Sequence, residues 1–340
     1  MCRIPTLEQT MALIEEEIAR ADRSGNSFCL LLLSRPGHPS LEWIVDVSKF
    51  LQRRLRRSDD FGFWESRQLG VLLPFTSAEG GRCVATDIRK ATCEQFPDLA
   101  IEVYTYPSNW LIRYSDPAAA ETFCDPSEEV ARPLEPMLVT GLPTWKRSAD
   151  VTIAALGLVL LSPVFLVVAV LIRRSSPGPV FYRQLRSGLG GRPFHIYKFR
   201  TMIDGADGQK ELLTFRNEQD GPAFKIKDDP RITAVGRLLR QMNFDELPQL
   251  INVLWGDMSL VGPRPLPCEE TLGCSPWQQR RLTVTPGMTG LWQIAPQRND
   301  MPFHEWMRLD LRYMGRRSLW RDMSILLRTL WSVFFRRDGC

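Results

Sequence analysis

Asp245 and Glu246 are adjacent carboxylates, and the basic residues around them in the sequence are of the kind that neutralise phosphate. Arg240 precedes Asp245 by five residues, and Arg264 is held between two prolines in Gly262-Pro263-Arg264-Pro265. Lys198 and Arg200 lie two apart in Phe194-His195-Ile196-Tyr197-Lys198-Phe199-Arg200-Thr201-Met202. A carboxylate can attack phosphorus and form a covalent intermediate, while cations spread along a phosphate chain stabilise its charge. A capped helix with ordinary N-terminal acids is the plainer reading of the dyad by itself.

Local pattern suggests how these groups are held. Asn243 reads as an N-cap, with Glu246 three residues on as in a capping box; Leu247, Leu250, Ile251 and Leu254 follow at helical spacing, and Gly256 is a stop. Pro248 is tolerable in a first turn, whose amides have no intrahelical acceptor, and a helix N-terminus would keep both carboxylates ionised. The alternation from Phe194 to Phe199 predicts a short strand or hairpin that turns Lys198 and Arg200 to one face, as a phosphate clamp or as a solvated basic face beside lipid headgroups. After the turn Asp228–Thr233, a helical segment Val235–Met242 carries Arg237 and Arg240. The prolines around Arg264 stiffen its loop, and Pro286–Gln293 reads as a turn leading into an apolar segment.

The net charge of +4 over 340 residues conceals two unlike halves. Residues 1–140 carry 15 Lys/Arg against 21 Asp/Glu, and residues 141–340 carry 28 against 18. The second half therefore expects an anionic partner, a phospholipid surface or a nucleotide. Its aromatics cluster with aliphatics, a pattern that speaks against nucleic acid. None of the eight cysteines forms a C-x-x-C pair and the three histidines are dispersed, which favours reduced thiols in a cytoplasmic compartment over disulfides or zinc. The first twenty residues read as an acidic amphipathic helix, with no signal peptide expected.

Val151–Ile172 is uncharged and long enough to span a bilayer, yet Ser162-Pro163 interrupts it and both flanks are basic, Lys146-Arg147 and Arg173-Arg174. A helix that enters, bends at Ser162-Pro163 and returns to the same face, or an ordinary kinked span, would fit; the proline frees a carbonyl that the serine can re-satisfy. Near the end, Trp320, Ile325, Leu326, Leu327, Leu330, Trp331, Phe334 and Phe335 interleave with Arg321, Arg328, Arg336 and Arg337, as in an amphipathic helix on an anionic membrane, or a buried core helix. The first part alternates: helix 7–21, strand 28–33, helix 41–55, a hairpin-like stretch 61–73, helix 78–96, strand 100–106. This is an α/β pattern, and a linker rich in Pro, Ser and acids follows over about 107–140.

In order along the second half stand Lys146-Arg147 with Asp150, Ser162-Pro163, Gly178-Pro179-Val180-Phe181, Tyr197–Met202, Asp245-Glu246-Leu247-Pro248-Gln249, Gly256–Pro265 and Pro286–Gln293. Together they resemble the bacterial sugar transferase family of monotopic phosphoglycosyl transferases. The resemblance implies that Asp245 attacks the sugar-bearing phosphate of a UDP-sugar, expelling UMP, and that a polyprenyl phosphate then attacks the phosphosugar-aspartate. It also implies that Glu246 holds Mg²⁺, that Arg240 and Arg264 (more weakly Lys198 and Arg200) contact substrate, and that a re-entrant helix holds the catalytic domain at the cytoplasmic face of the bacterial inner membrane. Met242-Asn243-Phe244 departs from the family's usual Thr-Ser-Leu, and Ile294-Ala295-Pro296-Gln297-Arg298 from its usual Val-x-Gly-Arg turn, which puts the sugar in doubt.

Arg56-Arg57-Ser58-Asp59-Asp60 with Gln68–Thr76 resembles the GGDEF domain of diguanylate cyclases. The signature turn is replaced by Trp64–Gln68, and Leu33-Ser34-Arg35-Pro36 lacks the metal-binding aspartate. The implied organisation is a degenerate GGDEF-like α/β domain (1–110), a linker (111–143), a re-entrant membrane helix region (144–175) and a mainly α-helical transferase domain with a small β element (176–340). A homodimer is left open. An inactive membrane scaffold and a nucleotide-sensing regulator are the alternative functions.

Overall fold

A computed structural model describes residues 4–37, 40–64, 68–108, 110–111, 131–296, 298 and 300–335. The chain divides into two compact units, Met1–Leu138 and Val139–Cys340.

In the first unit helix α1 (Leu7–Ser24) is followed by β1 (Phe28–Ser34), α2 (Leu41–Arg54), β2 (Asp60–Phe63), β3 (Leu69–Leu73), α3 (Ala78–Thr92), β4 (Ala100–Tyr106) and β5 (Arg132–Pro133). The five strands lie in the order β2-β3-β1-β4-β5, with β1 antiparallel to both neighbours. As the central strand, β1 is buried on both faces and its side chains alternate between two cores. Phe28, Leu30 and Leu32 join Ile14 and Ile18 of α1, whereas Cys29, Leu31 and Leu33 join Trp43, Ile44 and Val47 of α2 and Ala85 and Ile88 of α3. Each helix opens on a hydroxyl cap: Thr6 with Gln9 in a capping box, Ser40, and Ser77. The linker expected over 111–143 is shorter than its composition suggested. β5 pairs in parallel with β4, and Leu134 is fully buried against the sheet.

The second unit begins with α4 (Thr144–Ser175), 32 residues and about 48 Å long. It continues through β6 (Phe181–Ser187), β7 (Pro193–Phe199), α5 (Ala234–Gln241), a 3₁₀ turn Phe244–Glu246, α6 (Gln249–Trp255) and β8 (Ser259–Val261). α7 (Cys268–Leu272), α8 (Pro276–Gln279), β9 (Gly287–Thr289), α9 (Phe303–Met314) and α10 (Leu319–Phe335) complete it. The unit is a mixture of helices, an antiparallel hairpin β6–β7 and a parallel pair β8–β9.

α4 is helical through Ser162 and Pro163, so the chain does not leave the helix at the expected bend. The compensation expected of the serine does occur. Proline at 163 leaves the Val159 carbonyl without its usual donor, and the Ser162 hydroxyl donates to that oxygen at 2.8 Å. One stripe of α4 packs on the second unit along its whole length. Lys146, Asp150 and Ala154 are buried, Leu158, Leu161, Val164 and Phe165 are partly buried, and Val168 and Ile172 are buried again. The opposite side presents Leu156, Val159, Leu160, Leu166 and Val167 to the exterior. The helix is long and apolar enough to cross a membrane.

Two polar anchors fix its first turn. Lys146 makes a buried ion pair with Asp322 of α10 and donates to the Tyr313 hydroxyl of α9, whose one proton goes to Asp322 at 2.8 Å, with the Val261 carbonyl, at 3.1 Å, as the alternative acceptor. Arg147 donates to the last carbonyls of α6, Val253 and Leu254. On α10, Trp320, Leu327, Leu330 and Trp331 are exposed and Ile325 is buried, so one face is apolar and open. Arg336 and Arg337, expected on its polar face, lie outside the described residues.

Candidate active site

The dyad sits on a tight connection between two helices, and this is where local pattern misleads. Asn243 does not cap a helix. It adopts a left-handed conformation (φ 54°, ψ 22°) just past the end of α5, and its amide donates to the Arg240 carbonyl. Asparagine is among the few residues that enter that region at small cost, so its fitness to end a helix competes with its fitness to start one. Its side-chain oxygen accepts from Arg298 at 3.1 Å. Phe244–Glu246 then form a 3₁₀ turn, and α6 starts at Gln249 with Pro248 at the cap position, where its missing N–H costs nothing. Phe244 packs among Val168, Ile172, Phe199 and Leu239, fastening the turn to the second half of α4.

The two carboxylates have unlike surroundings. Glu246 is gripped by Lys198 at 2.8 Å and by both guanidinium ends of Arg264, at 2.5 and 3.1 Å. Burial disfavours its charge, but Arg264 and Lys198 outweigh burial and hold its carboxyl well below the usual range. Asp245 is buried and makes no side-chain hydrogen bond or ion pair among the described residues. Burial pushes its carboxyl up, with Lys198, Arg240 and Arg264 opposing and the Glu246 charge assisting. Equal ionisation of the two, expected for a helix N-terminus, is therefore replaced by one clamped anion and one desolvated, unpartnered carboxyl.

Lys198 is carried in by the β6–β7 hairpin. Asn252 of α6, fully buried, locks that strand to the dyad's helix: its amide donates to the His195 carbonyl at 2.7 Å and its oxygen accepts from the Tyr197 amide at 3.0 Å. Arg240 is oriented by Thr201, whose hydroxyl accepts from its Nε at 3.0 Å, and the Thr201 carbonyl accepts from the Thr233 amide at the start of α5. Gly236 is required there, because a Cβ would sit 1.9 Å from that carbonyl oxygen.

Arg200 does not join the site. β7 ends at Phe199, so the alternation that would align Arg200 with Lys198 no longer holds, and its guanidinium binds the Ser176 and Pro177 carbonyls beyond α4 at 2.8 and 2.7 Å. The proposed Lys198–Arg200 clamp is thus split: one cation faces the dyad and the other closes a helix end, where carbonyl dipoles favour positive charge.

The loop bearing Arg264 is held from behind. Parallel pairing of Ser259 with Gly287 and of Val261 with Thr289 brings backbone against backbone, and the Gly287 amide donates to the Pro263 carbonyl at 2.8 Å. The Arg264 carbonyl accepts from Arg281, which pairs with Asp310 at 3.0 Å. The Arg264 guanidinium lies over Trp292 (5.7 Å), Trp292 stacks on Trp306 (4.3 Å), and Arg281 lies over the far ring (5.8 Å). The paired tryptophans were not singled out from sequence, since nothing in their 14-residue spacing announces contact.

Among the described residues no group of three or more His, Cys, Asp or Glu side chains could hold a metal ion. Two adjacent carboxylates remain, and hard oxygen donors of this kind suit Mg²⁺ when a substrate phosphate supplies further ligands.

Comparison with known proteins adds three findings. The family model described as bacterial sugar transferase matches residues 142–336. The chain is 44% identical over 185 residues to the galactosyl transferase CpsE of Streptococcus agalactiae, covering 54% of this chain and 41% of that one, so it spans well under half of that relative's length. It is 42% identical over 211 residues to the UDP-glucose:undecaprenyl-phosphate glucose-1-phosphate transferase of Caulobacter vibrioides, covering 59% and 74%. Among solved structures, the GGDEF domain of TpbB from Pseudomonas aeruginosa aligns at 16% identity over 31% of this chain and 72% of that one, with a TM-score of 0.27. A score that low assigns no fold.

Proposed function

Because the chain belongs to the bacterial sugar transferase family, we propose that it transfers a sugar-1-phosphate from a UDP-sugar to a polyprenyl phosphate, the first step of exopolysaccharide, O-antigen or glycoconjugate synthesis. The observation that carries the reading is the contrast within the dyad. Glu246 is neutralised by Lys198 and Arg264, while Asp245 is buried, unpartnered and flanked by Arg240. A desolvated carboxylate free of hydrogen bonds is a good nucleophile, and the surrounding cations would stabilise charge on the reacting phosphate.

In the first step an Asp245 oxygen attacks the sugar-bearing phosphorus; the bond to the bridging oxygen breaks and UMP leaves with that electron pair. In the second, an oxygen of the polyprenyl phosphate attacks the same phosphorus, the phosphorus–aspartate bond breaks, and the Asp245 carboxylate is restored. Arg240 and Arg264 would hold the phosphates. By the family reading Glu246 would hold Mg²⁺, which would supply charge neutralisation when bound. The names of the two relatives differ in sugar, so the donor's sugar is the variable part.

The packing of α4 supports a monotopic arrangement, and by the family reading the unit faces the cytoplasm at the inner membrane. Both ends of the helix contact the same unit, while the outward side is apolar from Leu156 to Val167. A helix that left this unit behind on one side of a bilayer would not bury its first and last turns against it. The exposed Trp320, Leu327, Leu330 and Trp331 of α10 would lie in the headgroup region.

The first unit is a degenerate GGDEF-like domain in this reading. The antiparallel hairpin β2–β3 stands where the signature turn would be, and Trp64–Gln68 and Leu33–Pro36 lack the residues for cyclase chemistry.

The test is UMP release by the purified chain in nanodiscs with Mg²⁺, polyprenyl phosphate and a panel of UDP-sugars. Lipid-dependent release with one sugar, abolished in Asp245→Asn, is expected. A folded protein that releases UMP from none of them would point to the scaffold.

A further inference from the structure

Arg186 has no part in the reading above, yet it is built into the same site. The β6–β7 register sets Tyr182 opposite Lys198, so the two share a face, and Gln184 and Arg186 follow on that face. The end of β6 is also tied to the loop that carries Arg264. Arg186 bridges Pro267, the Ser187 amide donates to the Leu266 carbonyl at 3.0 Å, and Arg186 Nη1 donates to the Pro265 carbonyl at 2.8 Å. Nη2 donates to Gln184 at 2.6 Å, and Nε is buried with no partner. No carboxylate among the described residues lies within ion-pair distance of this guanidinium.

Two buried guanidinium groups of the second unit have a carboxylate: Arg231 pairs with Asp229 and Arg281 with Asp310. Arg200, like Arg186, has only neutral oxygens and a buried Nε without a partner, but its oxygens are those at the end of α4. Arg186 has neutral oxygens at hydrogen-bonding distance and a second cation, Arg264, beside it; burial and then Arg264 push its pKa down to about 10, with the more distant Glu270 and Glu246 opposing. Two like charges brought together in a half-buried place, Arg186 fixed by the Pro265 carbonyl and Arg264 by the Glu246 carboxylate, make an anion site.

Their order suggests which anion. Arg240 is held by Thr201, whereas Arg186 is held by the Pro265 carbonyl, next to Arg264, the cation on Glu246. The phosphate under attack must sit at Asp245, so the other phosphate of a diphosphate extends toward Glu246. We propose that Arg186 binds the phosphate of the nucleotide half of the donor, the one that departs as UMP. The inference rests on the transferase reading above.

Arg186→Gln and Arg186→Met are compared with wild type in nanodiscs, reading inhibition by UMP, KM for the UDP-sugar and KM for polyprenyl phosphate. UMP inhibition should weaken on the order of ten- to a hundredfold, the loss expected for a charge-assisted hydrogen bond. KM for the UDP-sugar should rise in parallel, and KM for polyprenyl phosphate should not move. Without nucleotide, Arg186→Met should melt no lower than wild type, since an uncompensated buried charge has been replaced by an apolar group of similar length. Unaltered UMP inhibition in a folded variant overturns the proposal, as does a shift in lipid KM in place of UMP. If wild type itself releases no UMP, the transferase reading has failed; if wild type is active and the variants are inhibited equally, the role of Arg186 alone has failed.

Discussion

The two units bury different things. The first encloses aliphatic and aromatic side chains on both faces of β1, and its buried Glu17 and Glu135 are each held by near neighbours, Arg20 and Ser108. The second buries charge throughout: Lys146 with Asp322, Arg231 with Asp229, Arg281 with Asp310, and Glu246 under Lys198 and Arg264. Removing charges from water costs several kcal/mol each, and apolar replacements are often as stable. The heavier expense in the second unit marks where charge is used for something besides folding. Within the second unit the same test separates structural pairs, which are compensated, from the dyad region, where Arg186 and Arg240 have no carboxylate of their own.

Substitutions can break this contrast. The largest effect belongs to Asp245→Asn, which should lower UMP release on the order of 10⁴-fold or more with the fold intact; residual activity near wild type would remove the nucleophile from the account. Arg264→Ala should cost on the order of 10²–10³ in rate, and, because Glu246 would lose its principal cation, the pH needed for full activity should rise. A rate–pH profile checks both. In the other unit, Leu31→Ala should cost about 2–5 kcal/mol of stability in denaturant melts and leave UMP release per folded molecule unchanged. A drop in that rate would mean the first unit serves the chemistry.

Smaller effects sharpen the contrast. Burial pushes the Asp310 carboxyl up to about 6, from an ordinary 3.8, against the pull of Arg281. The folded state therefore binds this proton more tightly than the unfolded one. The resulting stability is full below pH 3.8 and is lost as pH rises through about 6. Asp310→Asn should flatten that decline, which is on the order of 1–3 kcal/mol, in melts across the window. Smallest is Asn243: Gly there should cost a few tenths of a kcal/mol, and Ala about 1–2, read from melting temperature.

Regular elements were legible because their signals are redundant. The apolar run Phe28–Leu33 bounded by polar turns allows little but a strand. Ser162 was legible for a chemical reason, since the carbonyl freed by Pro163 has a hydroxyl within reach. The site was legible in composition and less so in geometry. Asn243 suits two opposite ends of a helix, so local pattern could not choose between them. The period of two predicts Arg200 beside Lys198 only while the strand lasts, and it lasts to Phe199. Arg186, Asn252 and the Trp292–Trp306 stack depend on pairings between segments far apart in sequence, which no single window contains.

Phe244 has a consequence of another kind. As the residue next to Asp245, the proposed nucleophile, it packs against Val168 and Ile172 of α4, with Phe199 and Leu239 completing the contact. If the outward side of α4 is immersed in lipid, its immersion sets the height of Asp245 relative to the bilayer surface. The helix then acts as a depth gauge. A water-borne donor and a lipid-borne acceptor would meet at a level chosen by the protein, and the acceptor's search would be confined to two dimensions.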